Sequence, residues 1–536
     1  MTVAALLLVV ACSSHSSANA RSSLPRAAEF SVTNGGLPFA GDHRLLTTIS
    51  PNGDGVRDAA TIHFRLTKSA AVHIEIREAR PPRRLVFDQV SKLGNGAQEI
   101  VWAPAEAVPG TYQVRLDLRD DQGNRRRYAT KRSLLDPLGT PVVRVLGVES
   151  TFTADSALPG GTASLEVKTD APTVSVEMFR SGKAATEVGD NPPEGALVRP
   201  AEELDWSTHT DGPFRIDVPI GEWPSGVYYA RVTTGDGRVG LAPVIVRPTV
   251  LGVHRVAVVL PTNTWQAYNF RDEDGNGIGD TWYAHSDPTQ EVRLGRAYLN
   301  DGMPPHYARY DLPFLRWLGL EKHAVDYLTE TDLEAVPNAS ALAATYDLII
   351  YPGHNEYVTQ HEYALITKYR DLGGNLMFLS ANNFFWRVDR TGDEIRRVAR
   401  WRTLGRPEAA LIGVQYLASD AGERKAAYIA RPTDAAGWLF PGTGFQPGLS
   451  PSTPGGALNR FGIEIDATTD DSPPGTTVVA DIPNLFGRGM TAQMTYYETP
   501  EGAKVFAAGA FTLAGAAGWF PVRRLLVNLW DRMARP

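Results

Sequence analysis

Near residue 249 the hydrophobic pattern of this 536-residue chain changes its period, and that change constrains the fold more than any single motif. Upstream, short runs such as ATIHFRL, VHIEI, YQVRLDL, ASLEV, VSVEMF and YYARVTT alternate apolar with polar residues between clusters of Gly, Pro, Asn and Asp. A two-residue period turns one side of each segment to a core and the other to water, so residues 29 to 248 are predicted to be strands without sustained helix. Downstream, VHRVAVVLP (253–261), HAVDYLT (323–329), TYDLIIYPG (345–353) and NLMFLSANN (375–383) are strand candidates, with helices predicted over YDLPFLRWLGL (310–320) and HEYALITKYRDL (361–372). Such alternation requires parallel strands with helices on both faces, an α/β doubly wound sheet. The later runs ALIGVQYL, TTVVADI, TAQMTYYE and AKVFAAGA add strands. PVRRLLVNLWDRMA then puts Val522, Leu525, Leu526, Leu529 and Trp530 on one helical face.

The β-rich half echoes itself. VHIEI (72–76) answers VSVEM (174–178), and VPGTYQVRLDLRDDQGN (108–124) answers WPSGVYYARVTTGDGR (223–238), each pair separated by about one sandwich domain. Two tandem Ig-like β-sandwiches are therefore expected, over 29–138 and 139–248, before an α/β domain over 249–536. The first carries SPNGDGVRD (50–58) and PGTY before its last strand, and in this it resembles the Ig-like domain of the flagellar hook-capping protein and of many bacterial surface proteins. Asp54 and Asp58 fit turn chemistry better than a calcium site, because Asn-Gly-Asp-Gly is a turn signal by itself.

Residues 1–28 read as a lipoprotein-type signal peptide and linker. The apolar run from Val3 ends in Val-Val-Ala before Cys12, the only cysteine, and then turns polar and Ser-rich, although no Lys or Arg precedes it. This predicts an exported, extracytoplasmic protein held to the membrane only through lipidated Cys12, with no disulfide framework. A net charge of −7 argues against nucleic acid as a partner, which needs a concentrated basic face. The one basic cluster, RRRYATKR (125–132), reads as a solvated domain edge.

Chemistry-bearing residues collect in IIYPGHNEYVTQHEY (349–363). Thr359 and Glu362 have the spacing of a capping box, which gives Glu362 a structural role, and His361 in the first turn is expected to be exposed or packed. GHNEY lies between a buried strand and a helix, at the carboxyl edge where open α/β sheets bind ligands. Two other loops reach that edge: TWQAYN, with Trp265, Gln266, Tyr268 and Asn269, and ANNFFW, with Asn382, Asn383 and Trp386. Together they predict a pocket for a small molecule or a surface polymer. No cysteine nucleophile and no G-x-S-x-G elbow is available, so His354 and Glu356, with Asn382, are the acid/base candidates.

TWQAYN, GHNEY, GGNLMFLSANNFFW and TYYETPEGAKVFAAGAF resemble the C-terminal domain of the N,N-dimethylformamidase large (beta) subunit, itself similar to class I glutamine amidotransferase-like folds of flavodoxin-like topology. The resemblance spans roughly 250 to 536. It implies hydrolysis of linear amides at a mononuclear iron held by two tyrosines and a glutamate. Tyr357 of GHNEY matches one tyrosine. The second position falls on Pro313, with Tyr310 about one turn away, and the glutamate position falls near Arg396, with Glu394 or Glu408 as substitutes. A hard phenolate suits a ferric Lewis acid that polarises a carbonyl. A sheet-edge domain without the metal would instead bind a sugar or peptide. Finally, Asp272, Asp274, Asn276 and Asp280 occupy positions 1, 3, 5 and 9 of a calcium loop, but Tyr283 stands where the bidentate glutamate belongs. That loop is read either as a structural calcium site or as a Gly/Asp turn.

Overall fold

The structure, a computed structural model, describes residues 24–534 except 37, 39–41, 43, 52, 54, 79–83, 106–109, 130–138, 183–194, 211, 272–279, 284–288, 300–301, 421–423, 432, 446–451, 454–455, 458–459 and 512. Cys12, Asp54, Asp272, Asp274 and Asn276 lie outside the described residues.

Period-two alternation produces two β-sandwiches. In the first, a three-stranded sheet (Ala27–Thr33, Ala60–Leu66, Gly96–Trp102) faces a sheet built around Ala70–Glu78 and Gly110–Arg119. Phe30, Ile62 and Phe64 from one meet Ile74, Val114 and Leu116 from the other. In the second, Glu149–Phe152, Thr162–Lys168 and Phe214–Pro219 face a sheet centred on Thr173–Ser181 and Gly226–Thr234. The sequence echo is an echo of pairing: the VHIEI strand runs antiparallel to YQVRLDL just as the VSVEM strand does to YYARVTT. One strand crosses the expected boundary at 138. Val142–Val145 pairs with Leu46–Ile49 and with Gly110–Arg119, and so completes the first sandwich. Asp58 accepts from the amides of Gly53 and Gly55, which is turn chemistry. Arg125 and Arg127 of the basic cluster sit on a strand edge and pair with Asp117.

After residue 250 an eight-stranded sheet takes over. Its parallel strands are β1 (Val256–Leu260), β2 (Asp326–Thr329), β3 (Leu348–Tyr351), β4 (Asn375–Phe378) and β5 (Lys504–Ala507), in spatial order β2-β1-β3-β4-β5. Three more strands extend it antiparallel beyond β5. Alternation along each strand feeds two cores. Val256, Val258, Leu348 and Met377 pack with the helices Leu312–Leu320 and Phe520–Met533. Ala257, Val259, Ile349 and Leu376 pack with Ala339–Thr345 and Gln360–Asp371. Helices thus cover both faces. Among the described residues no helix is long and apolar enough to cross a membrane.

The second sandwich is joined to this sheet by core and by polar contacts. Val227 and Ile245 belong to the same apolar cluster as β1 and β3. Arg271 makes a bidentate pair with Glu149, at 2.5 and 2.8 Å. Ser181 meets the Tyr307 hydroxyl at 2.8 Å, the Ser156 hydroxyl donates to Asp332 at 2.7 Å, and the Tyr327 amide donates to Ser225 at 2.8 Å.

Candidate functional site

The β1 carbonyl edge runs directly into a short buried helix, Thr262–Ala267, and the β3 edge into Pro352-Gly353-His354-Asn355-Glu356. Order 2-1-3 places these two exits side by side, at the point where chain connections diverge and leave a crevice. The loops interlock tightly. A Cβ on Gly353 would lie 2.7 Å from Pro261 Cγ and 2.9 Å from Asp311 Oδ1, so only glycine fits there. The Glu356 amide donates to Thr264 at 3.0 Å, and the Asn263 side chain donates to the Tyr357 carbonyl at 3.1 Å. Beneath them the buried Glu330 carboxylate accepts from the Asn263 amide and from the Asn355 side chain, at 2.6 and 3.0 Å. Burial pushes the Glu330 carboxyl up to about 8.

A cavity of about 330 Å³ opens at this edge. Its aromatic walls are Trp265, Tyr268, His306, Tyr310 and Phe511, and its polar groups are Asp311, His354, Glu464, Arg309 and Lys425. His354 is its chemical centre. The His354 side chain is 11% exposed, and its Nε2 lies 3.2 Å from Glu464 Oε2 and 3.7 Å from Glu356 Oε2. Burial disfavours its charged form, but Glu464 and Glu356 outweigh that and raise it to about 9, so the ring is an imidazolium at neutral pH. Behind it, Glu356 Oε2 accepts from the Tyr268 hydroxyl at 2.9 Å and the Tyr283 hydroxyl at 3.0 Å. Burial raises the Glu356 carboxyl, with His354 opposing. Asp311 and Asp466 are both lifted to about 7, chiefly by burial.

The sequence-predicted residues divide around this centre. Trp265, Tyr268, Tyr310 and His354 line the cavity, and Glu356 stands immediately behind it. Gln266 and Asn269 do not line it; Gln266 donates to the Arg296 carbonyl and Asn269 to the Ala297 carbonyl. Arg296, fully buried, organises that region by donating to the carbonyls of Gln266, Asn269, Arg271, Asp280 and Arg293. Asp280 closes the loop with its own amide on the Arg271 carbonyl at 2.9 Å. Asn382 and Asn383 are buried in backbone-shaping roles. Asn382 adopts a φ of 57°, its amide held by Asp466, and Asn383 accepts from the Asn355 amide. Trp386 packs beneath the guanidinium groups of Arg397 and Arg400.

The three residues carried over for iron are not brought together. Tyr357 is fully buried, its ring against Trp282 and its hydroxyl 2.5 Å from that of Tyr283. Tyr310 stands across the cavity, edge-on to Phe511, whose ring meets His354. Glu394 is exposed and pairs with Thr391, five residues along the strand from Trp386, the partner of Tyr357. At about 3.3 Å per residue that puts it roughly 16 Å away. Glu408 is committed to Arg402. Tyr357, Tyr310 and Glu394 therefore do not share one site, whereas the hydroxyls of Tyr268, Tyr283 and Tyr357 gather at the Glu356 carboxylate; among the described residues no group of three or more His, Cys, Asp or Glu side chains is arranged to hold a metal. The capping-box expectation is half met: Thr359 caps the Glu362 amide at 3.0 Å, but the Glu362 carboxylate turns inward to accept from Tyr351. His361 is packed against the Val336 carbonyl.

Comparison with known proteins places this geometry. A family model described as N,N-dimethylformamidase beta subunit-like, C-terminal, matches residues 175–518. The chain belongs to this family. The match begins inside the second sandwich, on the strand Thr173–Ser181, and takes in every cavity residue named above. No curated protein matches the chain. Solved structures similar to parts of this dimethylformamidase-like chain include E. coli alpha-2-macroglobulin in its native conformation, at 11% identity and a TM-score of 0.23 over 42% of this chain and 16% of that one. Salmonella alpha-2-macroglobulin reacted with methylamine has 12% identity and a TM-score of 0.23 over 41% and 16%.

Sequence reasoning missed Glu464, Asp466 and Asp311 as neighbours of His354, and Tyr283 as a partner of Glu356. Glu464 and Asp466 sit two apart on the strand Phe461–Ala467, over a hundred residues from GHNEY, and nothing local marks them as inward-facing. Tyr283 was visible only as a misfit in a calcium pattern.

Proposed function

We propose that this dimethylformamidase-like chain hydrolyses a small linear amide or related C–N bond in the cavity beside His354, and that the eight-stranded sheet is a doubly wound α/β domain presenting it. The observation that carries this reading is the His354 imidazolium held between Glu464 and Glu356 at the carboxyl edge of the sheet, where ligands enter. An acid and a carboxylate base held side by side on one cavity are what acid–base chemistry requires. Glu464, on the cavity wall, takes a proton from water as the water oxygen bonds to the carbonyl carbon. The imidazolium then protonates the departing nitrogen as the C–N bond breaks, giving a carboxylic acid and an amine. The proton on Glu464 returns to His354. Glu356, anchored by two phenols, is a positioning residue that keeps the imidazole charged. No step is routed through iron, because Tyr357, Tyr310 and Glu394 do not converge.

That failure to converge favours a second reading, a binding module for a sugar or peptide in the same cavity. Amine release from formamide- and acetamide-class substrates by the full chain separates the two. Turnover that falls about 100-fold or more in His354→Gln, with ligand binding kept, supports hydrolysis. Saturable binding without amine release sinks it. Export and lipid anchoring at Cys12 complete the proposal, and radiolabelled palmitate incorporation lost in Cys12→Ser is the check.

A further inference from the structure

The cavity lining also carries two cations, Arg309 in the Tyr307–Tyr310 turn and Lys425 on a two-residue strand that pairs with the strand of Glu464. In a chain with more acidic than basic residues, neither has an ion-pair partner among the described residues. The Arg309 guanidinium rests 5.4 Å from the Tyr310 ring centroid, and among the described residues no hydrogen bond engages the Lys425 ammonium. Burial and Arg309 hold Lys425 below its ordinary proton affinity, with Asp420 opposing, so the two cations feel each other at the cavity. Two like charges left facing one small cavity are relieved by an anion, and a guanidinium beside an ammonium suits a carboxylate.

We propose that the ligand is a small amide that also bears a carboxylate, with the carboxylate on Arg309 and Lys425 and the amide at His354 and Glu464. This rests on the hydrolytic reading above and adds the substrate class. Charge sets the orientation, since Glu464 repels a carboxylate from the reacting end. A volume of about 330 Å³ confines the ligand to a few bonds between the two groups.

The test is calorimetric titration of the full chain with N-acetylglycine, its neutral counterpart N-acetylglycinamide, and inorganic phosphate, on wild type and on the Arg309→Gln, Lys425→Gln double variant, with circular-dichroism melts to confirm folding. The expected result is binding of N-acetylglycine at least about 10-fold tighter than the neutral amide, weakening with salt, and a preference reduced to within about twofold in the folded double variant. Equal binding of the two amides, no binding of either, or a preference surviving the double substitution overturns the inference, as does tighter binding of phosphate than of N-acetylglycine. Equal cleavage of both amides keeps hydrolysis and refutes the carboxylate site. Selective binding of N-acetylglycine without release of glycine keeps the site and refutes hydrolysis.

Discussion

Replacing Glu149 by Gln tests whether the second sandwich is a spacer or a structural part of the dimethylformamidase-like domain. Glu149 sits on the first strand of that sandwich, and its side chain is 18% exposed. It accepts two hydrogen bonds from Arg271, with Lys168 at 4.0 Å. Burial opposes its ionisation, yet Arg271 and Lys168 overcome that and lower it from 4.5 to about 2. A shift of that size corresponds to about 3 kcal/mol of folding stability at pH 7. The sign follows from the depressed value. The contribution is complete above pH 4.5 and is lost as pH falls toward 2, leaving about 1.4 kcal/mol at pH 3.

Arg271 begins the loop that ends at Tyr283, one of the two phenols on Glu356, and its carbonyl accepts from both Arg296 and Asp280. Glu149→Gln is therefore expected to cost about 2–3 kcal/mol at pH 7 in denaturant unfolding, through loss of the Glu149 charge from its bidentate pair with Arg271. The loss should appear in the transition that reports the α/β domain, and the difference from wild type should shrink by about half at pH 3. A cost below about 0.5 kcal/mol, a difference that does not change with pH, or destabilisation confined to a separate early transition would refute the reasoning and restore the sandwich to a spacer.

Three further outcomes are expected. Gly353→Ala should destabilise by about 1–3 kcal/mol through the clash with Pro261 and Asp311, seen as a lower melting temperature. Stability should decline from about pH 4 to 9, because Asp311 and Asp466 near 7, Glu330 near 8 and His354 near 9 all hold protons in the folded state that the unfolded chain releases earlier. Asp466→Asn should flatten the portion between about pH 4 and 7, and melts of that variant that track wild type across the range would contradict the assignment. Iron content measured by elemental analysis should be the same in wild type and Tyr357→Phe; stoichiometric iron lost in the variant would show that the phenols rearrange around a metal.

What could be read from sequence and what could not follow from how far each signal reaches along the chain. Strand periodicity, the helix stops and the switch near 249 are local patterns set by side chains that face a core within their own segment, and they survived into the structure with small shifts such as Val142–Val145. ALIGVQYL shows the limit of even that signal: Ala409–Ile412 winds into a helix that ends at Gly413, whose φ is 91°, before the strand begins at Gln415. The site is a different kind of object. His354 was legible because the β3 exit marks its own position, but its charge depends on Glu464, which only the folded sheet delivers. The same holds for the phenols. Tyr357 is marked by its motif, but the partner its hydroxyl meets, Tyr283, is brought there by backbone that Arg296 ties down at Arg271 and Asp280. A family motif carries the backbone turn that positions GHNEY faithfully, since Gly353 cannot be replaced without a clash. It does not carry the partners those side chains meet, which come from the segment that Arg296 ties down and from the late strand of Glu464. The surroundings of this site are therefore set by two segments distant in sequence, and substitutions there should alter function more than changes within the motif's own flanks.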